Sequence, residues 1–178
     1  GNACDDANGC TTTGTVLIGQ PSQLTSSVSN DVTICLGDNT TLTASGSGGT
    51  QPYDFVWNNG FIGENIAVGP NQNTSYWVYA EDDNGCESTV DTVKIFVLPQ
   101  LSASVSQDVE VCQGDSVEIE VTSTSGGDSN YNYAWSNGNT GPGPFMVTPD
   151  TSTTYTVTIT DGCTTPPAVR EVEVTVNP

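Results

Sequence analysis

This chain copies itself, and the copying constrains everything else. Leu24, Val28, Asp31, Cys35, Gly37 and Asp38 recur as Leu101, Val105, Asp108, Cys112, Gly114 and Asp115, each pair offset by 77. Tyr53, Trp57, Asn59 and Gly60 return as Tyr131, Trp135, Asn137 and Gly138 at an offset of 78. Pro70, Thr74 and Tyr76 return as Pro149, Thr153 and Tyr155 at 79, and Gly85-Cys86 as Gly162-Cys163 at 77. Val93, Ile95, Val97 and Pro99 match Val172, Val174, Val176 and Pro178 at 79. A drift of one residue is an insertion or deletion that a loop absorbs. Each copy is therefore one structural unit, which divides the chain into residues 22–99 and 100–178 behind a shorter segment, 1–21.

Within each copy, hydrophobic residues alternate with polar ones at period two, the signature of half-buried strands. Val117, Ile119 and Val121 face one way and Glu118 and Glu120 the other. Tyr155, Val157 and Ile159 alternate with threonines, and Val172, Val174 and Val176 alternate with Glu171, Glu173 and Thr175. Clusters of Gly, Ser and Asn, such as Ser45 to Gly49 and Ser123 to Asn130, separate these runs. About seven short strands in a copy of this length predict an all-β chain of tandem Ig-like Greek-key β-sandwiches. Trp57 and Trp135 occupy the place of a core tryptophan on the third strand. Tyr76 and Tyr155 follow Thr-rich turns, as a tyrosine corner would.

Residues 1–21 read as a third, partial copy. Asp5-Asp6-Ala7-Asn8-Gly9-Cys10 is similar to Asp82-Asp83-Asn84-Gly85-Cys86, and Thr15-Val16-Leu17-Ile18 to Thr92-Val93-Lys94-Ile95. This is the last turn and last strand of a sandwich without the earlier strands. A strand end of that kind leaves N–H and C=O groups and one apolar face (Val16, Ile18) seeking a partner, which makes Val16, Leu17 and Ile18 the expected assembly residues. Docking on a neighbouring chain by strand addition would run head to tail and build filaments. Folding back onto the first sandwich, or excision from a longer adhesin, are the alternatives.

Composition narrows the function. The chain has 2 Lys plus Arg against 21 Asp plus Glu, for a formal net charge of -19. Nucleic acid and anionic membrane surfaces demand basic patches, so neither is a partner. No apolar run approaches the length of a membrane span. The absence of His, of Cys-x-x-Cys and of a Gly-x-Ser-x-Gly elbow removes zinc-finger, haem-attachment and serine-hydrolase chemistry. The acids fall on turns and outward strand faces, where nothing raises one carboxyl for acid catalysis. No enzymatic activity is expected. Neither a signal peptide nor an initiator Met is present, consistent with a mature chain or an excised piece.

Six cysteines, an even number, point to an oxidising, extracellular compartment. Cys35 precedes Cys86 by 51 residues, and Cys112 precedes Cys163 by 51. One bridge per sandwich is the expectation, closing loops that stabilise by about 4 kcal/mol each in the chain-entropy model. The two turns lie at opposite ends of an ideal Ig topology, so pairing between copies is the alternative. Cys4 and Cys10 are expected to bridge locally.

Asp82, Asp83 and Asn84, with Asp5 and Asp6 in the partial copy, form acidic turns that Ca²⁺ would suit. The plainer reading is Asp/Asn-Gly turn chemistry with solvated carboxylates, and no other cofactor is expected. Lys94 invites an isopeptide bond, yet Glu173 stands in its place in the second copy. Asn39 and Asn73 head Asn-x-Ser/Thr sequons of relevance only to a eukaryotic-type pathway.

The set Ile34-Cys35-x-Gly37-Asp38, Tyr-x-x-x-Trp-x-Asn-Gly, Pro-x-x-x-Thr-x-Tyr, Asn-Gly-Cys and a closing Val-x-Val-x-Pro resembles PKD-like and Ig-like repeats of large Bacteroidota surface proteins exported by type IX secretion. Residues 3–21 are similar to the tail of the repeat in gliding adhesins. The second copy departs from the pattern at Asp161-Gly162-Cys163, which lacks the Asn. The resemblance implies a secreted, cell-surface stalk, adhesin or fibre component. It also implies O-glycosylation at Thr92 (Asp91-Thr92-Val93) and Ser116 (Asp115-Ser116-Val117). Two functions remain open: a structural subunit of a filament or stalk, self-associating or bound to neighbouring repeats, and a module that binds surface glycans. Loop runs 45–49 and 123–130 contain no aromatic residue, which favours the first, while Phe61 and Phe145 stay unassigned.

Overall fold

The structure is a computed structural model that describes residues 21–163 and 166–178. Every regular element in it is a strand. The first copy supplies β1 (Thr25–Val28), β2 (Val32–Cys35), β3 (Thr40–Ser47), β4 (Tyr53–Trp57), β5 (Asn65–Val68), β6 (Thr74–Asp82) and β7 (Asp91–Leu98). The second supplies β8 (Ser102–Val105), β9 (Val109–Cys112), β10 (Val117–Ile119), β11 (Val121–Ser125), β12 (Asn132–Trp135), β13 (Phe145–Val147), β14 (Thr153–Thr160) and β15 (Ala168–Asn177). Two compact units result. One holds the described residues up to Ile34 with Asn39–Phe96; the other holds Cys35–Asp38 with Val97–Pro178. The turn after β2 is thus grouped with the second unit, although its sequence belongs to the first copy.

In the first unit a three-stranded sheet, β1-β3-β5, packs against a four-stranded sheet, β2-β7-β6-β4. The period-two pattern decides what lies between them: Leu42, Trp57, Val78, Val93 and Ile95 are almost wholly buried. Burying side chains of this size stabilises by roughly 1.5–3 kcal/mol each. The Trp57 indole N–H would be costly to bury unpaired. It donates to Gly63 O at 2.9 Å.

The second unit repeats the plan, with β12-β14-β15-β9 as one layer. Its other layer is split into the pairs β8-β11 and β10-β13. The alternation through Val117, Ile119 and Val121 holds, but the ladder changes partners at Glu120. Glu120 O accepts from Ser106 N at 2.9 Å, and Val121 N donates to Pro142 O at 2.7 Å. Trp135 sits in the core and donates to Gly141 O at 3.1 Å. Phe145, which has no assigned role in the sequence, is a strand residue packed edge-on against Trp135.

The repeated aspartates mark the place where the chain crosses from one sheet to the other. Between β1 and β2, Asp31 Oδ1 accepts from Lys94 N at 2.7 Å; between β8 and β9, Asp108 Oδ1 accepts from Glu173 N at 2.8 Å. Each carboxylate satisfies a backbone donor of the last strand.

Tyr155 belongs to the core as expected, whereas Tyr76 is only half-buried. The tyrosine-corner role falls elsewhere. Among the described residues neither hydroxyl of Tyr76 or Tyr155 makes a hydrogen bond. Tyr53 and Tyr131 do, donating to Gly48 O at 2.6 Å and Gly126 O at 2.8 Å. The reason is position: at the head of β4 and β12 these side chains reach back over the preceding loop.

Candidate functional site: the acidic turns and the cysteines

The Asp82 turn is built around a carboxylate. Asp82 ends β6 and is 7% exposed, the one buried charged residue among those described. Its Oδ1 accepts from Asn84 N at 3.0 Å and Cys86 N at 2.9 Å, and its Oδ2 from Thr50 N at 2.9 Å. These donors favour the ionised form. The Cys86 N–H most of all, then those of Thr50 and Asn84, hold the carboxyl below its usual range against a smaller opposing effect of burial. The Asn84 side-chain amide donates to Thr50 Oγ1 at 2.9 Å, and Asp83 points into solvent.

The second copy keeps the device with longer bonds. Asp161 Oδ1 accepts from Cys163 N and its Oδ2 from Asp128 N, both at 3.2 Å. Asp128 in turn accepts from Asn130 N at 2.9 Å. That backbone donor, the Asn130 side chain and the Gly162 N–H hold the Asp128 carboxyl low.

The loops that reach these carboxylates depend on glycine. Gly48 has φ +80° and Gly126 φ +80°; a Cβ on either would collide with a backbone oxygen, that of Gln23 or of Gln100. Only a residue without a side chain lets the loop pass so close. The Gly pairs read in the sequence as spacers are thus close-approach positions.

This geometry changes the reading of the turn as a Ca²⁺ site. A cation would need six to eight oxygens, but the Asp82 oxygens already face N–H dipoles, positive end inward. Among the described residues no cluster of three or more Cys, Asp or Glu forms a metal-sized group. Asp5 and Asp6 lie outside the described residues, as do Cys4, Cys10, Val16, Leu17 and Ile18.

The cysteines pair differently from the expectation. Cys35 is bonded to Cys163, with Cα atoms 5.6 Å apart and a sequence separation of 128. Cys86 is also disulfide-bonded, so it is not the partner of Cys35, and Cys112 is a free, exposed thiol. Bridges Cys35–Cys86 and Cys112–Cys163 are therefore excluded. The strand-end cysteine and the Gly-Cys turn of one copy lie at opposite ends of the topology. The Cys35–Asp38 turn groups instead with the unit that contains Cys163.

The remaining named residues are exposed. Thr92 lies on β7 directly opposite Trp77 of β6, and the Ser116 hydroxyl shares a hydrogen bond of 2.8 Å with Thr148. Trp77, which the sequence reading passed over, is 41% exposed, and Phe61 is 45% exposed.

Part of the second copy is similar to a known repeat. Residues 110–140 match the model of the SprB repeat. The SprB repeat is a repeat of Bacteroidota gliding and type IX-secreted surface proteins. The match spans the Cys112-x-Gly114-Asp115 turn and the Tyr131 to Gly138 motif. No curated protein matches the chain as a relative. Among solved structures the chain is similar to the D1–D2 fragment of Rst, at 15% identity and a TM-score of 0.48, over 86% of this chain and 100% of that one. It is also similar to the D00–D0 domain of intimin, at 13% identity and a TM-score of 0.47, over 85% of this chain and 98% of that one. The Ig-like fold itself rests on the strand pairing. No helix among the described residues is long and apolar enough to cross a membrane, and a disulfide fits an oxidising compartment.

Proposed function

We propose that this is a non-catalytic extracellular structural protein, a tandem Ig-like building block of a bacterial surface filament or adhesin stalk, joined head to tail through residues 1–21. The observation that carries the structural part is the Cys35–Cys163 bond, which links the two copies covalently. A chain so closed cannot be fully extended by unfolding, a property suited to a load-bearing tether. The acidic surface, at a net charge of -19, keeps such a chain dispersed until a specific joint forms. Thr92 and Ser116, both exposed, are the O-glycosylation positions of this reading.

The joint is tested by deleting residues 1–21. Sedimentation velocity and electron microscopy of the full chain should show polymers that the truncated chain does not form, with unchanged far-ultraviolet circular dichroism. Equal assembly by both chains refutes the head-to-tail joint.

A second reading, glycan recognition, is favoured by one observation: Trp77 offers an exposed ring on the outer face of β6. A glycan array with the wild type and Trp77→Ala decides it, since stacking on this face must vanish in the variant.

A further inference from the structure

Two kinds of cysteine recur in this chain. Cys35 and Cys112 each end a four-residue strand, β2 or β9, and open the same turn. Asp38 N donates to Cys35 O at 3.1 Å and Asp115 N to Cys112 O at 3.0 Å, and Gly37 and Gly114 share φ +91°. Cys86 and Cys163 each follow Gly in a turn capped by an aspartate, Asp82 or Asp161, and both are disulfide-bonded. The one strand-end cysteine with a known partner, Cys35, is bonded to the turn cysteine of the following copy, Cys163. Cys112 is its equivalent one copy later, and it is an exposed free thiol. Its own copy's turn cysteine is already taken by Cys35.

We propose that Cys112 is a linkage site for the Gly-Cys turn of a further repeat of the same kind, so that strand-end and turn cysteines form a ladder with one rung from each repeat to the next. The second observation that lifts Cys112 above an isolated thiol is the bonded state of Cys35 in the same strand-and-turn setting. The chemistry is thiol–disulfide exchange with a disulfide donor, either a small-molecule disulfide such as oxidised glutathione or a protein oxidant. The Cys112 thiolate attacks the donor's S–S bond, and one donor sulfur leaves as a thiolate. The incoming turn cysteine, as thiolate, then attacks the mixed disulfide at the Cys112 sulfur and expels the second donor sulfur. Two protein thiols lose two electrons and two protons; the donor disulfide becomes two thiols. The ladder does not depend on residues 1–21 acting as an assembly segment, and loss of that joint would leave it standing.

The partner turn can come from a repeat in the same chain or from a second copy of the chain, and two arms distinguish them. In one, a copy of residues 100–178 is fused after Pro178 and the protein is refolded in a glutathione redox buffer. In the other, the unfused chain is treated identically. Peptide mapping without reduction, after blocking of free thiols, reads the state of Cys112. Cys112 linked to the appended turn cysteine supports the ladder within a chain. Cys112 linked to a turn cysteine in covalent dimers of the unfused chain supports it between copies. Retention of an alkylatable Cys112 in both arms overturns the proposal. So does a Cys112–Cys112 bond, or pairing of the appended turn cysteine with the strand-end cysteine of its own repeat. Serine at the appended turn cysteine is the folding control. It should return Cys112 to full alkylation while the circular dichroism of the fused protein is unchanged.

Discussion

Cys35 and Cys163 are 128 positions apart in sequence and 5.6 Å apart at Cα, joined through sulfur. A closed loop of that length removes a large share of the unfolded chain's freedom. Cys163→Ser should lower stability to denaturant by about 5 kcal/mol in the chain-entropy model and convert Cys35 into an alkylatable thiol. Cys112→Ser should leave stability within about 0.5 kcal/mol of wild type, as an exposed substitution does. Urea titrations of both variants check the pair.

Gly48 and Gly60 have nearly the same positive φ, +80° and +83°, yet only Gly48 faces a backbone oxygen where a Cβ would be. Gly60→Ala should cost about 1–2 kcal/mol, the left-handed penalty alone. Gly48→Ala should cost clearly more, because the loop must also withdraw from Gln23. The difference between the two midpoints measures that steric part.

The Tyr53 hydroxyl ties down the loop, and the Tyr76 hydroxyl has no described partner. Tyr53→Phe leaves Gly48 O short of a donor and should destabilise by about 0.5–1.5 kcal/mol. Tyr76→Phe should be neutral. Thermal unfolding of the two variants makes the comparison, and equal losses would restore the corner role to Tyr76.

Asp82 makes stability depend on acid. Its folded-state carboxyl is held below the ordinary range by the N–H groups of Cys86, Thr50 and Asn84. The contribution is therefore complete above the unfolded carboxyl's titration, at about pH 4, and is lost as pH falls through the lower folded value. Asp82→Asn should lower stability at neutral pH and flatten its decline between pH 5 and pH 2. Asp128 behaves with the same sign. Because the Asp82 oxygens already face N–H donors, millimolar Ca²⁺ should leave the unfolding temperature of the described units unchanged.

Much of this was legible in the sequence because it follows from periodicity. Trp57 and Trp135 and the valines of β7 and β15 all come from alternation and repetition. The disulfide pairing did not, and the reason lies in the repeat itself. Two strand-end and two turn cysteines with identical local sequences allow pairing within a copy or across copies, and only the fold distinguishes them. Tyr53 and Tyr76 are both repeated, so repetition could not say which hydroxyl holds the loop. Trp77 escaped notice because Tyr76-Trp77-Val78-Tyr79 has large apolar groups on both faces. Its register opposite Thr92 turns it outward.

The same sheets decide how the chain meets a digestive protease. Its 2 basic residues, Lys94 and Arg170, are the only positions at which a trypsin-like enzyme can cut. Both lie inside strands, β7 and β15, where Lys94 pairs with Ser75 and Arg170 with Val157. The Lys94 N–H is also held by Asp31, and the Arg170 guanidinium donates to Ala103 O at 2.7 Å. Cleavage must wait for a strand to leave its sheet, so digestion rates report how often each sandwich opens. A cut after Lys94 would leave its two products tied through Cys35–Cys163, and the nick would stay hidden until the sulfurs are reduced.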